Sequence, residues 1–348
     1  MITLRLNANN PKDLSLAAQL LRAGELVAIP TETVYGLAAN ALDPAAVAKI
    51  FEAKGRPQDN PLIVHVTDIL QAFPLVKVFP FTARRLAEAF WPGPLTVILP
   101  RADHVPDIVS AGLRSLALRV PAHPVAQALL QAAGIPLAAP SANRSGSPSP
   151  TLASHALYDL DGKIAAVLDA GPCAVGIEST VLDLTSEMPL LLRPGGISVE
   201  QLETVLDRKI AVSPAVVHAL ENDAPTPSPG MKYKHYAPQA ELTLVHGSLQ
   251  AFLAYAKQEK PDGLLVFDRD MSTVNCCCQS EIGSCQPVNC LRYGDDPKAQ
   301  AKQLFARLRE IDELGWRKVL VRCPTKEGLG LAVYNRLLRA SAFREVTV

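Results

Sequence analysis

The chain has 348 residues, 48% of them hydrophobic, and equal numbers of basic and acidic side chains, 34 of each. This length and hydrophobic content are sufficient to bury a substantial core, and they indicate a globular protein of about two domains. The balanced charge argues against a protein that coats nucleic acid or binds an anionic membrane surface.

The amino-terminal residues 1–6 lack the basic start and the continuous apolar stretch of a secretory signal. No later run approaches the ~18 apolar residues that would predict a membrane span. We therefore expect a cytoplasmic protein that does not enter the membrane.

Residues 1–206 alternate short apolar strands with amphipathic helices, which predicts one large α/β domain built on a mixed sheet. The predicted strands are Leu26–Pro30, Leu62–Val66, Leu95–Leu99, Leu116–Val120, Ile135–Ala139, Ala166–Asp169, Val181–Leu184 and Leu190–Arg193. The predicted helices are Pro11–Ala23, Pro44–Lys54, Thr82–Phe90, Pro124–Ala133, Leu152–Leu160 and Val199–Leu206.

Prolines punctuate residues 207–240, which carry few strand or helix signals and are predicted to be a linker. Residues 241–348 return to a βαβ order, which predicts a smaller Rossmann-like domain with a parallel sheet. Its strands are predicted at Leu242–Val245, Leu264–Phe267 and Val319–Arg322, and its helices at Leu249–Gln258, Pro297–Leu314 and Leu329–Ala340. No G-x-G-x-x-G follows its first strand, which argues against dinucleotide binding.

Polar residues follow several strands of the first domain, where ligands bind in open α/β sheets. The first group, residues 31–36, supplies threonine hydroxyls, although a lone threonine at such a position is more often a helix N-cap or part of a turn. In the second group, Lys54 and Arg56 flank a glycine and can hold phosphate oxygens, although cations are also favoured at a helix C-terminus. His65 follows within a strand, where a core histidine bonded to backbone is the alternative.

Three further groups have the same character. Residues 139–146 combine small residues with Ser141 and Asn143, which supply hydrogen-bond donors and acceptors. Ser115 and Arg119 lie four apart on a strand and so share one face. Residues 176–180 and 193–196 form the remaining polar loops. The chain has no G-x-x-x-x-G-K-[ST], H-E-x-x-H or G-x-S-x-G motif, so phosphate binding by Lys, Arg and hydroxyl groups is the best physical interpretation.

Together these motifs resemble the Sua5/YrdC/YwlC family over residues 5–206: Lys54-Gly-Arg56-Pro, Ser141-Ala-Asn143, Gly176-Ile-Glu-Ser179-Thr-Val and Arg193-Pro-Gly-Gly. The linker around Tyr236 and the second domain resemble the long form of that family. The resemblance implies a twisted α/β domain with a positively lined cavity that makes threonylcarbamoyl-AMP from L-threonine, bicarbonate and ATP. That product serves the modification of tRNA next to the anticodon.

The resemblance also implies roles for individual residues. The expected ligands of L-threonine are Thr33, His65, Arg119, Ser141 and Ser179. The residues expected to face ATP are Lys54, Arg56, Asn60, Ser115, Ala139 through its backbone, Asn143, Ser149, Arg193 and Tyr236. Lys54 and Arg56 are expected to be catalytic, because both reacting groups are anionic and their repulsion must be offset.

Mg²⁺ is expected to accompany ATP, held by phosphates and water rather than by a protein site. The expected partners are these substrates and the transferase machinery that passes the product to tRNA; direct tRNA contact is not required. The linker, with Tyr233 and Tyr236 between prolines, is expected to be a lid over the nucleotide, and the alternative is that these rings only pack the domains together.

Two alternative functions are less consistent with the sequence. A double-stranded RNA or tRNA-binding module without adenylate synthesis would show a basic excess, but residues 1–205 contain 15 Lys plus Arg against 18 Asp plus Glu. A carbamoyl-transfer module of hydrogenase maturation would need an acylphosphatase-like region and paired C-x-x-C motifs upstream, and the sequence has neither.

Seven cysteines are unevenly placed, and five of them crowd residues 276–290. In a reducing compartment they are expected to be thiols. The spacing of Cys276, Cys277, Cys278, Cys285 and Cys290 lacks the paired C-x₂-C of common zinc sites, so a variable insertion is favoured over a metal site.

Overall fold

The computed structural model describes residues 2–219, 236–274 and 289–348, and these form two compact units. The first unit comprises the described residues up to 219 except 146–148. The second comprises 146–148 and the described residues from 236 onward. Within these ranges, no helix combines the length and the hydropathy that a membrane crossing requires.

The first unit is built on a mixed sheet whose eleven described strands have the order β1-β8-β2-β3-β7-β4-β6-β5-β9-β10-β11. The strands are β1 Leu4–Asn7, β2 Val27–Ile29, β3 Gly36–Asn40, β4 Ile63–His65, β5 Leu95–Pro100, β6 Ser115–Arg119, β7 Leu137–Ala138, β8 Ala166–Asp169, β9 Thr180–Asp183, β10 Leu190–Arg193 and β11 Ala211–Val212. Parallel pairs such as β4 with β6 alternate with antiparallel pairs such as β4 with β7. This confirms the predicted mixed sheet.

Helices cover both faces of that sheet, because successive strand residues point to opposite sides. The helices are α1 Pro11–Arg22, α2 Pro44–Lys54, α3 Ile69–Ala72, α4 Phe81–Phe90, α5 Asp107–Ser110, α6 Pro124–Ala133, α7 Ala153–Leu160 and α8 Val199–Leu206. Val27 and Ile29 of β2 belong to a core that includes α1 and α6. Ala28 between them belongs to the opposite core, which includes α2, α4, α7 and α8.

The second unit has five described strands, all parallel where they pair, in the order β14-β13-β15-β12-β16. They are β12 Glu241–His246, β13 Gly263–Val266, β14 Asn289–Arg292, β15 Lys318–Arg322 and β16 Glu345–Thr347. Helices Leu249–Glu259, Pro297–Glu313 and Leu329–Ala340, here α9, α10 and α11, connect them. The predicted smaller parallel α/β domain is confirmed.

The ends of α2 show how the sequence fixes the position of two site residues. Asp43 caps the first turn by accepting from the amides of Ala45 and Ala46, and Pro44 occupies the first helical position. Gly55 ends the helix in the left-handed conformation at φ 61°. Lys54 is therefore the last helical residue, and the chain turns sharply before Arg56.

Candidate functional site

The loop that follows β2 is organised by Thr31. Its hydroxyl donates to the carbonyl of Val34 at 2.7 Å, and its Oγ1 accepts from the amides of Thr33 and Val34 at 3.2 and 3.3 Å. The hydroxyls of Thr31 and Thr33 lie 2.8 Å apart, and Thr33 is fully buried. Thr31 thus stabilises a turn, and that turn carries Thr33 into the interior.

Lys54 joins the end of α2 to the loop after β7. The side chain is buried, and its Nζ donates to the carbonyl oxygens of Ser141 and Asn143. Within the loop, the Ser141 hydroxyl donates to Asn143 Oδ1 at 2.5 Å. The ammonium group therefore lies among the residues that were predicted to contact threonine and ATP.

Arg56 and Asn60 form the next part of the site. The Arg56 guanidinium Nη2 donates to the carbonyls of Asn60 and Pro61 at 3.3 and 3.1 Å. Asn60 is only 1% exposed, yet neither Oδ1 nor Nδ2 has a hydrogen-bond partner among the described residues. A buried polar group left without a partner costs about 1–3 kcal/mol. A ligand with hydrogen-bonding groups would satisfy this amide, which fits the predicted contact with ATP.

His65 and Arg119 are paired residues on the neighbouring parallel strands β4 and β6. The imidazole is buried, with Nδ1 3.3 Å from the carbonyl oxygen of Ile63. Burial, and then the positive charge of Arg119, lower the pKa of His65 to about 3. The imidazole is therefore neutral near pH 7 and can serve a ligand as a hydrogen-bonding group.

This lowered pKa predicts a pH-dependent stability. The folded pKa lies below the unfolded value of about 6.5, so the unfolded chain gains a proton first as the pH falls. The stabilisation that comes from neutral, buried His65 is fully present above about pH 6.5 and is lost progressively as the pH falls from that value to about 3. We expect the stability advantage of the wild type over His65→Gln to fall by about 3 kcal/mol between pH 7 and pH 4.

Urea unfolding at several pH values measures this difference, with the same substitution at exposed His104 as the control. A difference between wild type and His65→Gln that does not vary with pH would show that the imidazole titrates normally in the folded protein.

Arg119 is held by an ion pair with Glu32. Its Nη2 lies 2.6 Å from Glu32 Oε1, and its Nε donates to the carbonyl of Gly93 at 3.3 Å. The second carboxylate oxygen of Glu32 accepts from the amide of Ala122 at 3.0 Å. Arg119 and Glu32 are both buried. The structure thus adds an acidic group to a region predicted only from cations and hydroxyls.

Ser179 directly precedes β9 and lies within a second group of buried polar side chains. Its hydroxyl is 2.8 Å from that of Thr96 and accepts from Arg193 Nη2 at 3.1 Å. Beside it, the Ser149 hydroxyl donates to the carboxylate of Glu178. Ser149, Ser179 and Arg193 were predicted to belong to one site, and the structure brings them together.

Gly195 allows the loop after β10 to lie directly on this group. A Cβ atom at that position would come within 2.2 to 2.5 Å of backbone atoms of Thr180, Ser179 and Glu178. No other residue type fits such a close approach. The Arg193-Pro-Gly-Gly motif therefore brings the arginine and the backbone of residue 179 together.

Strand pairs and hydrogen bonds connect the residues predicted for L-threonine. Thr33 follows Glu32, which binds Arg119, and Arg119 pairs with His65. Arg119 also bonds Gly93, while the next residue, Pro94, accepts from the amide beside Ser179. Ser141 forms an isolated bridge with Gly36 at the start of β3. Five segments distant in sequence therefore converge in the first unit.

Two residues predicted to face ATP lie on or directly after strands of this sheet. Ser115 begins β6 four residues before Arg119 and is half-buried. Ala139 directly follows β7, and its amide donates to the carbonyl of Ile63 at 2.9 Å. This strand pairing uses the Ala139 N–H group.

Tyr236 belongs to the second unit. Its ring centroid lies 5.3 Å from that of Phe305, and the guanidinium of Arg336 is 5.5 Å from the Tyr236 ring. Most of the predicted lid, including Tyr233, lies in residues 220–235, outside the described residues. The role of Tyr236 over the nucleotide stays a prediction.

The cysteine cluster is also largely outside the described residues, which include Cys290 but not Cys276, Cys277, Cys278 or Cys285. Cys173 and Cys323 are free thiols. In the part of the chain that the structure describes, no three His, Cys, Asp or Glu side chains are grouped to hold a metal ion.

Three buried residues of the site were not predicted as site residues: Glu32, Thr96 and Glu178. Glu32 and Glu178 lie inside motifs that the sequence singled out, so their position was a usable signal. Thr96 lies in an apolar strand and gave no signal, because its role depends on the pairing of β5 with β9.

A cavity of about 560 Å³ beside the ends of β1 and β8 contains none of the predicted residues. Its polar groups bind one another: Arg5 Nη2 lies 2.7 Å from Asp169 Oδ2, and the amide of Gly171 donates to Asp169 Oδ1 at 3.0 Å. The candidate site is therefore the cluster around Lys54, Arg119 and Ser179.

Comparisons with known proteins match nearly the whole chain. The Sua5/YciO/YrdC family model, described as telomere recombination, matches residues 19–195, and a model described as threonylcarbamoyl-AMP synthase, C-terminal domain, matches residues 197–342. The threonylcarbamoyl-AMP synthase of Pyrococcus abyssi is 44% identical over 96% of this chain and 95% of its own length. That of Bacillus subtilis is 43% identical over 99% and 97%.

Solved structures give the same result for the fold. The crystal structure of P. abyssi Sua5 complexed with L-threonine has a TM-score of 0.88 and 42% identity, covering 100% of both chains. The structure of E. coli YciO covers 57% of this chain with a TM-score of 0.52 and 25% identity. Similarity to P. abyssi Sua5 extends over both units, whereas similarity to E. coli YciO covers little more than half of the chain.

Proposed function

The chain belongs to the Sua5 family of threonylcarbamoyl-AMP synthases, and from this premise we propose that its first unit joins L-threonine, bicarbonate and ATP. The products are threonylcarbamoyl-AMP, pyrophosphate and water. By its chemistry the reaction is a nucleotidyl transfer, because the AMP group moves from pyrophosphate to a carbamate oxygen.

The amino-acid half of the reaction is supported by Arg119. Its guanidinium is buried and held at Nε and Nη2, while Nη1 has no hydrogen bond to any described residue. Such a group can bind the α-carboxylate of L-threonine through charge-assisted hydrogen bonds. The hydroxyls of Thr33, Ser141 and Ser179 and the neutral imidazole of His65 supply the remaining contacts.

Binding of ATP is supported by Asn60, which lies beside Arg56. The buried side-chain amide of Asn60 has no hydrogen-bond partner among the described residues. This amide is the observation that most directly supports a second, hydrogen-bonding ligand near the cations. The rest of that ligand's site in the first unit would be lined by Ser115, Asn143, Ser149, Arg193 and the backbone of Ala139.

The chemistry then follows from charge. The neutral amine of threonine takes up bicarbonate to form a carbamate with loss of water, and a carbamate oxygen attacks the α-phosphorus of ATP as pyrophosphate leaves. Carbamate and triphosphate are both anionic, so they repel each other at the point of reaction. The positive charges of Lys54 and Arg56 offset this repulsion and stabilise the charge that develops on the phosphoryl oxygens.

Magnesium is proposed as part of the MgATP substrate. Phosphate oxygens and water satisfy most of the octahedral coordination that Mg²⁺ requires, so the protein need not supply a carboxylate cage. The product is proposed to pass to the transferase machinery that modifies the adenosine next to the anticodon of tRNA, and this unit need not bind the tRNA itself.

The direct test incubates the purified full chain with L-threonine, bicarbonate and MgATP, followed by mass spectrometry for the adenylate and an assay for pyrophosphate. We expect both products, and neither when threonine or bicarbonate is omitted. ATP hydrolysis that does not depend on threonine, without the adenylate, would contradict the proposal.

A further inference from the structure

The ion pair between Glu32 and Arg119 joins two parts of the chain that are 87 residues apart. Glu32 lies in the turn after β2, and Arg119 is the last residue of β6. Only 11% of the Glu32 side chain and 4% of the Arg119 side chain are exposed. Since water screens such a pair weakly, its geometry is set by the protein.

Both partners are also anchored to backbone. The main-chain carbonyl of Glu32 accepts from the amide of Val175 at 2.7 Å, and its Oε2 accepts from the amide of Ala122 at 3.0 Å. The Arg119 carbonyl accepts from the amide of Val66 at 3.0 Å. The carboxylate is thus a fixed point against which the flexible arginine side chain is oriented.

The orientation has a direct consequence for a ligand. Glu32 and Gly93 engage Nη2 and Nε of Arg119, so the guanidinium plane is fixed and Nη1 is left for a further acceptor. We propose that Glu32 is a positioning residue, which holds Arg119 so that its remaining N–H groups meet the α-carboxylate of the amino-acid substrate. The proposal rests on the proposed function of the first unit.

A purely architectural ion pair makes a different prediction. It would stabilise the fold, and its loss would affect both substrates through general disorder. A positioning residue affects binding of the amino acid selectively, because neither Glu32 nor Arg119 hydrogen-bonds the side chains of Asn60 and Arg193, which are proposed to face ATP. Affinity for L-threonine, measured separately from affinity for ATP, therefore distinguishes the two.

The experiment compares Glu32→Gln with Glu88→Gln, the same change at an exposed position on α4. Glutamine keeps the shape of the side chain but removes its charge. One of the two oxygens that accept from Arg119 and Ala122 becomes an NH₂ group, which can only donate. We expect the KM for L-threonine to rise at least tenfold, with kcat at saturating threonine and the KM for ATP changing less than about threefold. Glu32→Asp, which keeps the charge on a shorter side chain, should be intermediate.

A double-mutant cycle with Arg119→Lys provides the decisive readout. If Glu32 acts through Arg119, adding Glu32→Gln to Arg119→Lys should raise the KM for threonine less than threefold further. Independent, multiplying effects would overturn the proposal, as would a threonine KM within twofold of wild type or equal losses for both substrates. Should Glu32→Gln fail to fold, Glu32→Asp decides by the same criteria. A wild type that forms no threonine-dependent adenylate would instead refute the proposed function.

Discussion

Replacing Lys54 with methionine is expected to lower the rate of threonylcarbamoyl-AMP formation by roughly a hundredfold or more while the first unit stays folded. Methionine keeps most of the buried aliphatic length of the side chain. It removes the ammonium group that donates hydrogen bonds to the carbonyl oxygens of Ser141 and Asn143. The transition state then loses a preorganised positive charge where two anionic reactants meet. Pyrophosphate release at saturating threonine, bicarbonate and MgATP measures the effect.

Lys49→Met is the matched control. Lys49 lies on the same helix and pairs with Glu25 at 2.9 Å, but its side chain is 43% exposed. Exposed ion pairs contribute little to stability, so this variant should retain nearly normal turnover. If Lys54→Met also kept normal turnover, the charge at the end of α2 would have no part in the reaction.

Replacing Arg119 with lysine is expected to weaken L-threonine binding by roughly tenfold to a hundredfold, with little change for ATP. Lysine keeps a cation beside Glu32, so no unpaired carboxylate is left buried. It cannot, however, hold Glu32, the Gly93 carbonyl and a substrate carboxylate at once with the planar geometry of a guanidinium. Calorimetric titration with each substrate separates the two affinities.

The control for Arg119 is Arg114→Lys, which lies just before the same strand and is exposed. It should bind both substrates as the wild type does. Loss of ATP affinity alone in Arg119→Lys would contradict the placement of this guanidinium around the amino acid.

Helix ends and apolar strands of the first unit were predictable because their signals are local. The predicted bounds of α2, Pro44–Lys54, are confirmed by the structure, in which Asp43 caps the first turn and Gly55 ends the helix. Strand β3, Gly36–Asn40, was not predicted, since glycine and alanine have low strand propensity. It forms because β2 and β7 pair with it on either side. The order of the strands in the sheet could not be predicted either, because neighbouring strands such as β1 and β8 are far apart in the sequence.

The site shows the same division. Lys54 ends a helix, Arg119 ends a strand and Ser179 lies in a loop, and polar residues at such positions stand out in the sequence. The carboxylate partner of Arg119 is 87 residues away, and the hydroxyl partner of Ser179 is 83 residues away. Such pairs form only when the sheet has formed. The sequence therefore indicated Arg119 and Ser179, which we propose to contact substrate, but not their partners Glu32 and Thr96.

The pairing of β1 with β8 bears on how the chain folds during synthesis. Leu4 lies opposite Ala166, and β8 then also pairs with Val27 of β2. Each residue of β1 is therefore synthesised 162 residues before the residue of β8 that it pairs with. Contacts so distant along the chain slow folding, because a long loop must close before they stabilise anything. A nascent chain that ends before Asp169 would leave β1 and one edge of β2 open, and open strand edges invite pairing with other chains.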